Sequence, residues 1–267
     1  MKIKEIKSHI LQYDLKEELG YSQQYYQKRT AHLVEIRTDE GLVGWGESFG
    51  PGNVAIANKC IIEKVIQPMI LGVDPLNREV IWQKVYNLLR DHGQKGMPIQ
   101  ALSGIDIALW DIAGKVTNMS ISRLIGGRFR ESIPVYGYGM MLRPEDVDSL
   151  VDRFYEESQA IKSMGFVATK MKVGLGPEKD IRLAEAVRKG IGDKFPFMVD
   201  ANHCYTSSDA LYVGRALEEM NAFWFEEPVP PEDLEGYLEL KSVLDIKIAG
   251  NEAEFTRWGW KNILQKR

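Results

Sequence analysis

The stretch Val167-Ala-Thr-Lys-Met-Lys-Val-Gly174 decides how the rest of the chain is read. Its β-branched and apolar residues, closed by a glycine, predict a strand. Residues i and i+2 of a strand share a face, so Lys170 and Lys172 project together. At a solvated edge such a pair is ordinary. At the mouth of a parallel barrel the same pair becomes a tool for acid–base chemistry. The neighbouring strands decide between the two.

From about residue 130 the chain alternates strands with helices, the pattern of parallel βα units. Strands are predicted at 135–139, 166–173, 195–200, 222–226 and 246–250. Helices are predicted at 146–162, 178–189, 207–220, 231–243 and from 255 to 265. Gly165 stands beyond one helix as a stop, and a Ser/Thr cluster precedes another as a cap. Three strands end in an acid: Phe-Met-Val-Asp200, Phe-Trp-Phe-Glu226 and Ile-Ala-Gly-Asn-Glu252. From 200 to 226 and from 226 to 252 the step is 26 residues, and from Lys172 to Asp200 it is 28. A βα unit of an eightfold barrel takes about 30 residues, and active sites gather at the carboxyl ends of its strands. The spacing predicts that these four residues are neighbours on one rim.

The region before residue 130 reads differently, as a small α+β unit. Strands are predicted at 2–15, 29–38 and 42–47, with a polar, aromatic loop at 16–27 and a turn at 39–41. So few strands are marginal alone, so they should pack on helices predicted at 53–70, 77–89 and 99–115. Gly126-Gly127 ends this region. The expected division is a first domain at 1–128 and a second at 129–267.

Composition removes several function classes. The charged fraction of 27% and hydrophobic fraction of 44% are those of a globular protein. A net charge of −4 without a Lys/Arg tract gives no footprint for nucleic acid. Cys60 and Cys204 lack metal-type spacing and suit a reducing compartment. No signal core opens the chain and no apolar run of membrane-spanning length occurs, so no membrane partner is expected and the expected location is cytoplasmic.

Three converging carboxylates repel one another, which raises their affinity for protons. A hard dication resolves the repulsion, and Mg²⁺ favours oxygen ligands while keeping positions for water or substrate. A cation bound to a substrate carboxylate acidifies its α-proton. A neutral lysine beside it can take that proton, and a second ammonium two residues away favours the neutral form. Each residue also has a plain structural reading. A single acid after a strand is usually a cap, and a Lys-x-Lys at a strand end is usually solvated. The joint periodicity is what argues otherwise. Asn202 is equally a turn residue or a contact to substrate, His203 reads as a loop histidine, and Glu227 is either a supporting or a solvated group. Trp224 and Phe225 read as packing residues.

These residues resemble a family. The chain resembles the enolase superfamily in its mandelate racemase / muconate lactonising enzyme branch, along almost its whole length. The resemblance rests on Thr38-Asp-Glu-Gly-Leu-Val-Gly-Trp-Gly-Glu47, on Ser103-Gly-Ile-Asp-Ile-Ala-Leu-Trp-Asp-Ile-Ala-Gly-Lys115 and on Leu124-Ile-Gly-Gly127. It continues through Lys170-Met-Lys172, Asp200-Ala-Asn202, Glu226-Glu-Pro228 and Gly250-Asn-Glu252. It implies an α+β capping domain followed by a (βα) TIM-type barrel. It implies Asp200, Glu226 and Glu252 as Mg²⁺ ligands, Lys172 as the proton-abstracting base, and Lys170 as its electrostatic partner or a contact to the substrate carboxylate. It further implies that the loops 21–26 and 49–53 close over the site, with Tyr21 and Asn202 touching substrate. The expected substrate is a small carboxylate with an α-proton. The polar stretches after Asp200 and Glu226 are more similar to acid-sugar dehydratases and mandelate racemase than to cycloisomerases.

One departure qualifies the expectation. The family barrel has eight strands, and five are predicted here. The later strands normally bring an Asp–His dyad and a further Glu. The segment Gly259-Trp-Lys-Asn-Ile-Leu-Gln-Lys-Arg267 does not resemble a family C-terminus, so a truncated barrel is expected. Its exposed wall favours association, which makes a homo-oligomer the expected state. Dehydration of a sugar acid, racemisation or epimerisation of a 2-hydroxy acid, and an inactive fragment remain the alternatives.

Overall fold

The computed structural model describes residues 1–266. Arg267, the end of the second predicted domain, lies outside the described residues. The chain divides into two compact units. The first comprises Met1–Leu15, Lys28–Glu131 and Phe255–Lys261; the second comprises Lys16–Gln27, Ser132–Glu254 and the residues from Asn262 onward.

The sheet order in the first part of the chain is β1 (Ile3–Tyr21), β2 (Gln24–Thr38), β3 (Val43–Ser48). β2 and β3 run antiparallel, with Val34 opposite Gly46 and Ile36 opposite Gly44. Helix α1 (Val54–Cys60) continues through a π-helical run (Ile61–Ile66) into α2 (Gln67–Ile70); α3 (Arg78–Leu89), α4 (Met97–Thr117) and the short α5 (Ile121–Leu124) follow. The expected single helix at 53–70 therefore carries a widened turn. The Gln67 N–H reaches back to the Ile62 carbonyl, and Pro68 next to it has no N–H to continue the regular ladder. The core of this unit is built from Val34, Ile36, Ile62, Ile66, Ile105 and Leu109. β3 lies directly on α4. A Cβ on Gly46 would stand 2.1 Å from the Gly104 carbonyl oxygen, so the Gly-Trp-Gly sequence is a close-packing requirement.

The second unit carries a parallel sheet in sequential order: β4 (Gly137–Tyr138), β5 (Thr169–Lys172), β6 (Phe197–Asp200), β7 (Trp224–Glu226) and β8 (Lys247–Ala249). Helices α6 (Val147–Ser163), α7 (Pro177–Ile191), α8 (Ser207–Glu219) and α9 (Leu234–Val243) make the crossovers, and α10 (Thr256–Gln265) follows β8. Five consecutive strands with this connectivity are part of a TIM-type barrel. β5 and β6 are buried throughout, as a sheet covered by crossover helices requires. Met171, Val199 and Phe225 pack against Leu183, Val187 and Leu217 in one core. Short polar side chains start the helices: Asp146 accepts the N–H groups of Asp148 and Ser149, Thr206 that of Asp209, and Asp233 that of Gly236. Gly165 has φ +86° just past α6, the stop its position predicts.

One expectation is corrected. Residues 16–27 are not a loop: β1 runs on to Tyr21 and β2 resumes at Gln24. The hairpin turns in only two residues, Ser22 and Gln23. Most of this arm is exposed, so it lacks the apolar alternation by which strands are read. Its local signal is Gly20 beneath the Tyr25 ring, where a Cβ would meet the ring at 2.5 Å. Gly20 also exchanges two backbone hydrogen bonds with Leu142, at 2.7 and 3.0 Å. Among the described residues, no helix is long and apolar enough to cross a membrane.

Candidate active site

The parallel ladder sets the site. Lys172 of β5 pairs with Asp200 of β6, and Asp200 pairs with Glu226 of β7. The three residues form one rank at the carboxyl ends of adjacent strands, with Lys170 two residues back on the same face. Lys172 Nζ donates to Asp200 Oδ2 at 2.6 Å and to Asn202 Oδ1 at 2.6 Å. Lys170 Nζ donates to Glu226 Oε1 at 2.7 Å and to Asp200 Oδ2 at 3.2 Å. Asp200 is fully buried, and both lysines are more than nine-tenths buried. They are not a solvated edge.

Glu252 stands apart from this rank. β8 ends at Ala249, which pairs with Glu226, and Glu252 lies in the loop beyond it. Its side chain is exposed and meets Asn202 Nδ2 at 3.4 Å, while its backbone N–H donates to Glu227 Oε1 at 3.1 Å. Tyr21 is half-buried with its ring centroid 5.9 Å from Lys172 Nζ. Tyr136 and Tyr138 bring further rings within 6 Å of the lysines: Tyr138 lies 5.7 Å from Lys170 and 5.8 Å from Lys172.

Buried carboxylates supply the electrostatics. Lys170 is held above its ordinary pKa: burial pulls it down, but the Glu226 hydrogen bond and the charges of Asp200 and Glu226 outweigh burial. Glu227 is pushed up, first by burial and then by Glu252, with Asp200 and Glu226 adding to the effect. Tyr237 is pushed up by burial and by the same four carboxylates. Asp200, Glu226, Glu227 and Glu252 thus share one field, and the ammonium groups hydrogen-bonded within it are those of Lys170 and Lys172. Glu227 Oε2 and Tyr237 Oη are buried without a hydrogen-bond partner among the described residues.

The group fits a hard dication in kind, being all oxygen donors. Its arrangement is a different matter. Among the described residues, no three His, Cys, Asp or Glu side chains are gathered so that they could hold a metal ion. Lys170 Nζ bridges Asp200 and Glu226, and Glu252 is separated from them by Asn202.

Several contributors were hidden from sequence reasoning. Glu227 is buried rather than solvated and props the Glu252 backbone. Trp224 does more than pack, because its Nε1 donates to Glu226 Oε2 at 2.9 Å. Asp180 lies on a helix yet ties two rim loops together. It accepts the N–H groups of Gly174, Leu175 and Gly176 after β5, and the Tyr205 hydroxyl after β6 at 2.6 Å. The one available signal for Asp180 was its place in the first turn after Gly174-Leu-Gly-Pro177, where a carboxylate meets free backbone N–H groups.

Comparison with known proteins agrees with this architecture. Residues 15–126 match the mandelate racemase / muconate lactonizing enzyme N-terminal domain, and residues 153–267 the enolase C-terminal domain-like family. The chain is 41% identical over 259 residues to a D-galactarolactone cycloisomerase of Agrobacterium fabrum, covering 97% of this chain and 67% of that protein. It is 37% identical to an arabinonate dehydratase of Saccharolobus solfataricus, covering 88% of this chain and 62% of that protein. A crystal structure of a racemase from Streptomyces coelicolor with bound magnesium superimposes with a TM-score of 0.90 at 29% identity, over 98% of this chain and 72% of that one. The chain therefore spans about two thirds of the length of these relatives. With both domain types matched in order and a lysine–carboxylate rank at the barrel rim, the chain belongs to the mandelate racemase / muconate lactonizing enzyme group of the enolase superfamily.

Proposed function

We propose that this chain carries the proton-abstracting half of a Mg²⁺-dependent reaction on a sugar acid, with Lys172 as the base. The observation that carries the reading is the rank Lys172–Asp200–Glu226, held in register on three adjacent strands, with Lys172 and Asp200 buried and Glu226 half-buried. Lys170 is the fixed cation of the lysine pair, bound to Glu226, which leaves Lys172 to exchange a proton with substrate. Asp200, Glu226 and Glu252 are the residues that would hold Mg²⁺ if its binding drew the loop carboxylate of Glu252 in beside the other two, which are not gathered with it here; held there, the ion would acidify the α-proton of a bound carboxylate. Asn202 orients Lys172 through its Oδ1, and Tyr21 and Tyr138 wall the lysine face. The hairpin tip at Ser22 and Gln23, with Tyr21 beside it, is assigned to substrate selection.

The overall reaction proposed is dehydration: the α-proton passes to Lys172, the ammonium so formed protonates the departing β-hydroxyl, which leaves as water, and the resulting enol tautomerises to a 2-keto-3-deoxy acid. The similarity to an arabinonate dehydratase supports it. Isomerisation by racemisation or epimerisation of a 2-hydroxy acid is the second reading, supported by the similarity to a racemase. Calorimetric titration of the chain with Mg²⁺, beside Glu226→Gln, tests the metal site; saturable binding lost in the variant is the expected result. A panel of sugar acids in deuterated water, assayed for α-deuterium and for 2-keto acid, then separates the two reactions. Deuterium without keto acid selects isomerisation, and neither signal removes the proposed activity.

A further inference from the structure

The backbone leaving β6 makes an unusual turn. Asn202 has φ +43° and His203 has φ +56°, two consecutive non-glycine residues in the left-handed region. Such a turn persists only when its surroundings over-determine it. Its N–H groups are all engaged: Ala201 with the Glu226 carbonyl at 2.9 Å, Asn202 with Asp200 Oδ1 at 3.0 Å, and His203 with the Glu227 carbonyl at 2.6 Å. The Asp200 carbonyl accepts from Val173 N–H at 3.1 Å. Two carbonyls remain, those of Ala201 and Asn202. Both face one side chain from the hairpin tip: Ser22 Oγ lies 2.8 Å from Ala201 O and 3.1 Å from Asn202 O and shares its one proton between them. Gln23 Nε2 adds a bond to Asn202 O at 3.2 Å.

Ser22 reaches this position because Gly174 has no side chain. A Cβ on Gly174 would stand 2.2 Å from Ser22 Cβ and 2.7 Å from its Cα. The tip therefore seats on two adjacent strand exits, one carrying Lys172 and the other Asp200. Asn202, whose carbonyl Ser22 holds, is the residue whose Oδ1 holds Lys172 Nζ. A chain of direct contacts runs from Ser22 through Asn202 to Lys172.

We infer that Ser22 is a positioning residue: it fixes the left-handed turn at Asn202 and through it the orientation of the Lys172 amine, with Gly174 as the seat that admits it. The functional meaning of this role rests on Lys172 being the base, but its test needs no turnover. Acylation of Lys172 at fixed pH, followed by peptide mass spectrometry, is compared in wild type, Ser22→Ala, Gly174→Ala and the double variant. Deuterium exchange of the 199–205 amides is read in parallel. The expected result is Lys172 labelling and 199–205 exchange each faster by about tenfold in either single variant, the scale of one lost hydrogen bond. Because both substitutions break one seat, the double variant should be no faster than the singles. Unchanged Lys172 labelling in Ser22→Ala overturns the inference. So does an equal rise at Lys170 and at lysines throughout the chain, which would be general loosening, and so does additivity in the double variant. If the positioning result holds while no sugar acid is turned over, the proposed reaction fails and the role of Ser22 stands.

Discussion

The site has a strand-borne part and a loop-borne part, and they behave differently. Lys172, Asp200 and Glu226 are consecutive rungs of one parallel ladder; Lys172 donates to Asp200, and Lys170 bridges Asp200 to the half-buried Glu226. Glu252 belongs to the same proposed ligand set but lies beyond β8, exposed, with one long side-chain contact at 3.4 Å. Neighbouring strands fix their residues at about 4.8 Å spacing, so a ladder places side chains whether or not a ligand is bound. A loop residue has no such rule, and its position depends on what it binds. The lesson is that the proposed base and two of the acids are built into the fold, whereas the third acid is placed by its partners.

The largest effect expected is on the chemistry of the strand-borne part. Lys172→Ala should slow α-proton exchange by about 10²–10⁴, the range for removing a positioned general base. Mg²⁺ affinity measured by calorimetry should stay within a few-fold, because lysine is not a ligand. Retained exchange would move the base to another residue and empty the rank of its proposed purpose.

The supports of the ladder come next. Asp180→Ala removes the acceptor of three half-buried backbone N–H groups of the rim loop after β5 and of the buried Tyr205 hydroxyl. Leaving these donors unsatisfied should cost about 4 kcal/mol in denaturant unfolding. A loss under 1 kcal/mol would mean that the exits of β5 and β6 are held level by the strands alone. Glu226→Gln should cost about 3 kcal/mol, the low end for breaking a buried ion pair, because the amide still accepts a hydrogen bond from Lys170. Unchanged stability there would show that the Lys170–Glu226 pair at 2.7 Å contributes nothing to the fold.

Legibility in the sequence follows the same division. The βα alternation predicted the five-stranded order, and the even step from Lys172 to Asp200 to Glu226 predicted their juxtaposition, because strand ends at constant spacing must meet on one rim. The same step carried on to Glu252 predicted a neighbour at a strand end, but β8 stops three residues short of it. Periodicity counts residues and cannot tell a rung from a loop. The hairpin arm was misread because its sides face water, so no apolar alternation marked it. Ser22 and Asp180 were invisible for another reason: each acts on backbone groups, and a backbone leaves no residue type to be matched in the sequence.

The smallest stability effect is expected at Glu252, and it is the sharpest check on the contrast. The side chain is exposed, holds no ion pair among the described residues, and meets Asn202 through a bond at the limit of hydrogen-bonding distance. Glu252→Gln should therefore leave unfolding free energy within about 0.5 kcal/mol of wild type, as for a surface substitution. Mg²⁺ affinity should nonetheless fall by about tenfold or more, comparably to Glu226→Gln, because a carboxylate ligand is replaced by a neutral amide of weaker field. Loss of affinity without loss of stability would show that the loop acid serves the cation alone, whereas Glu226 serves both cation and fold. Unchanged affinity would remove Glu252 from the ligand set and leave the buried Glu227, whose Oε2 has no partner among the described residues, as the carboxylate to test in its place.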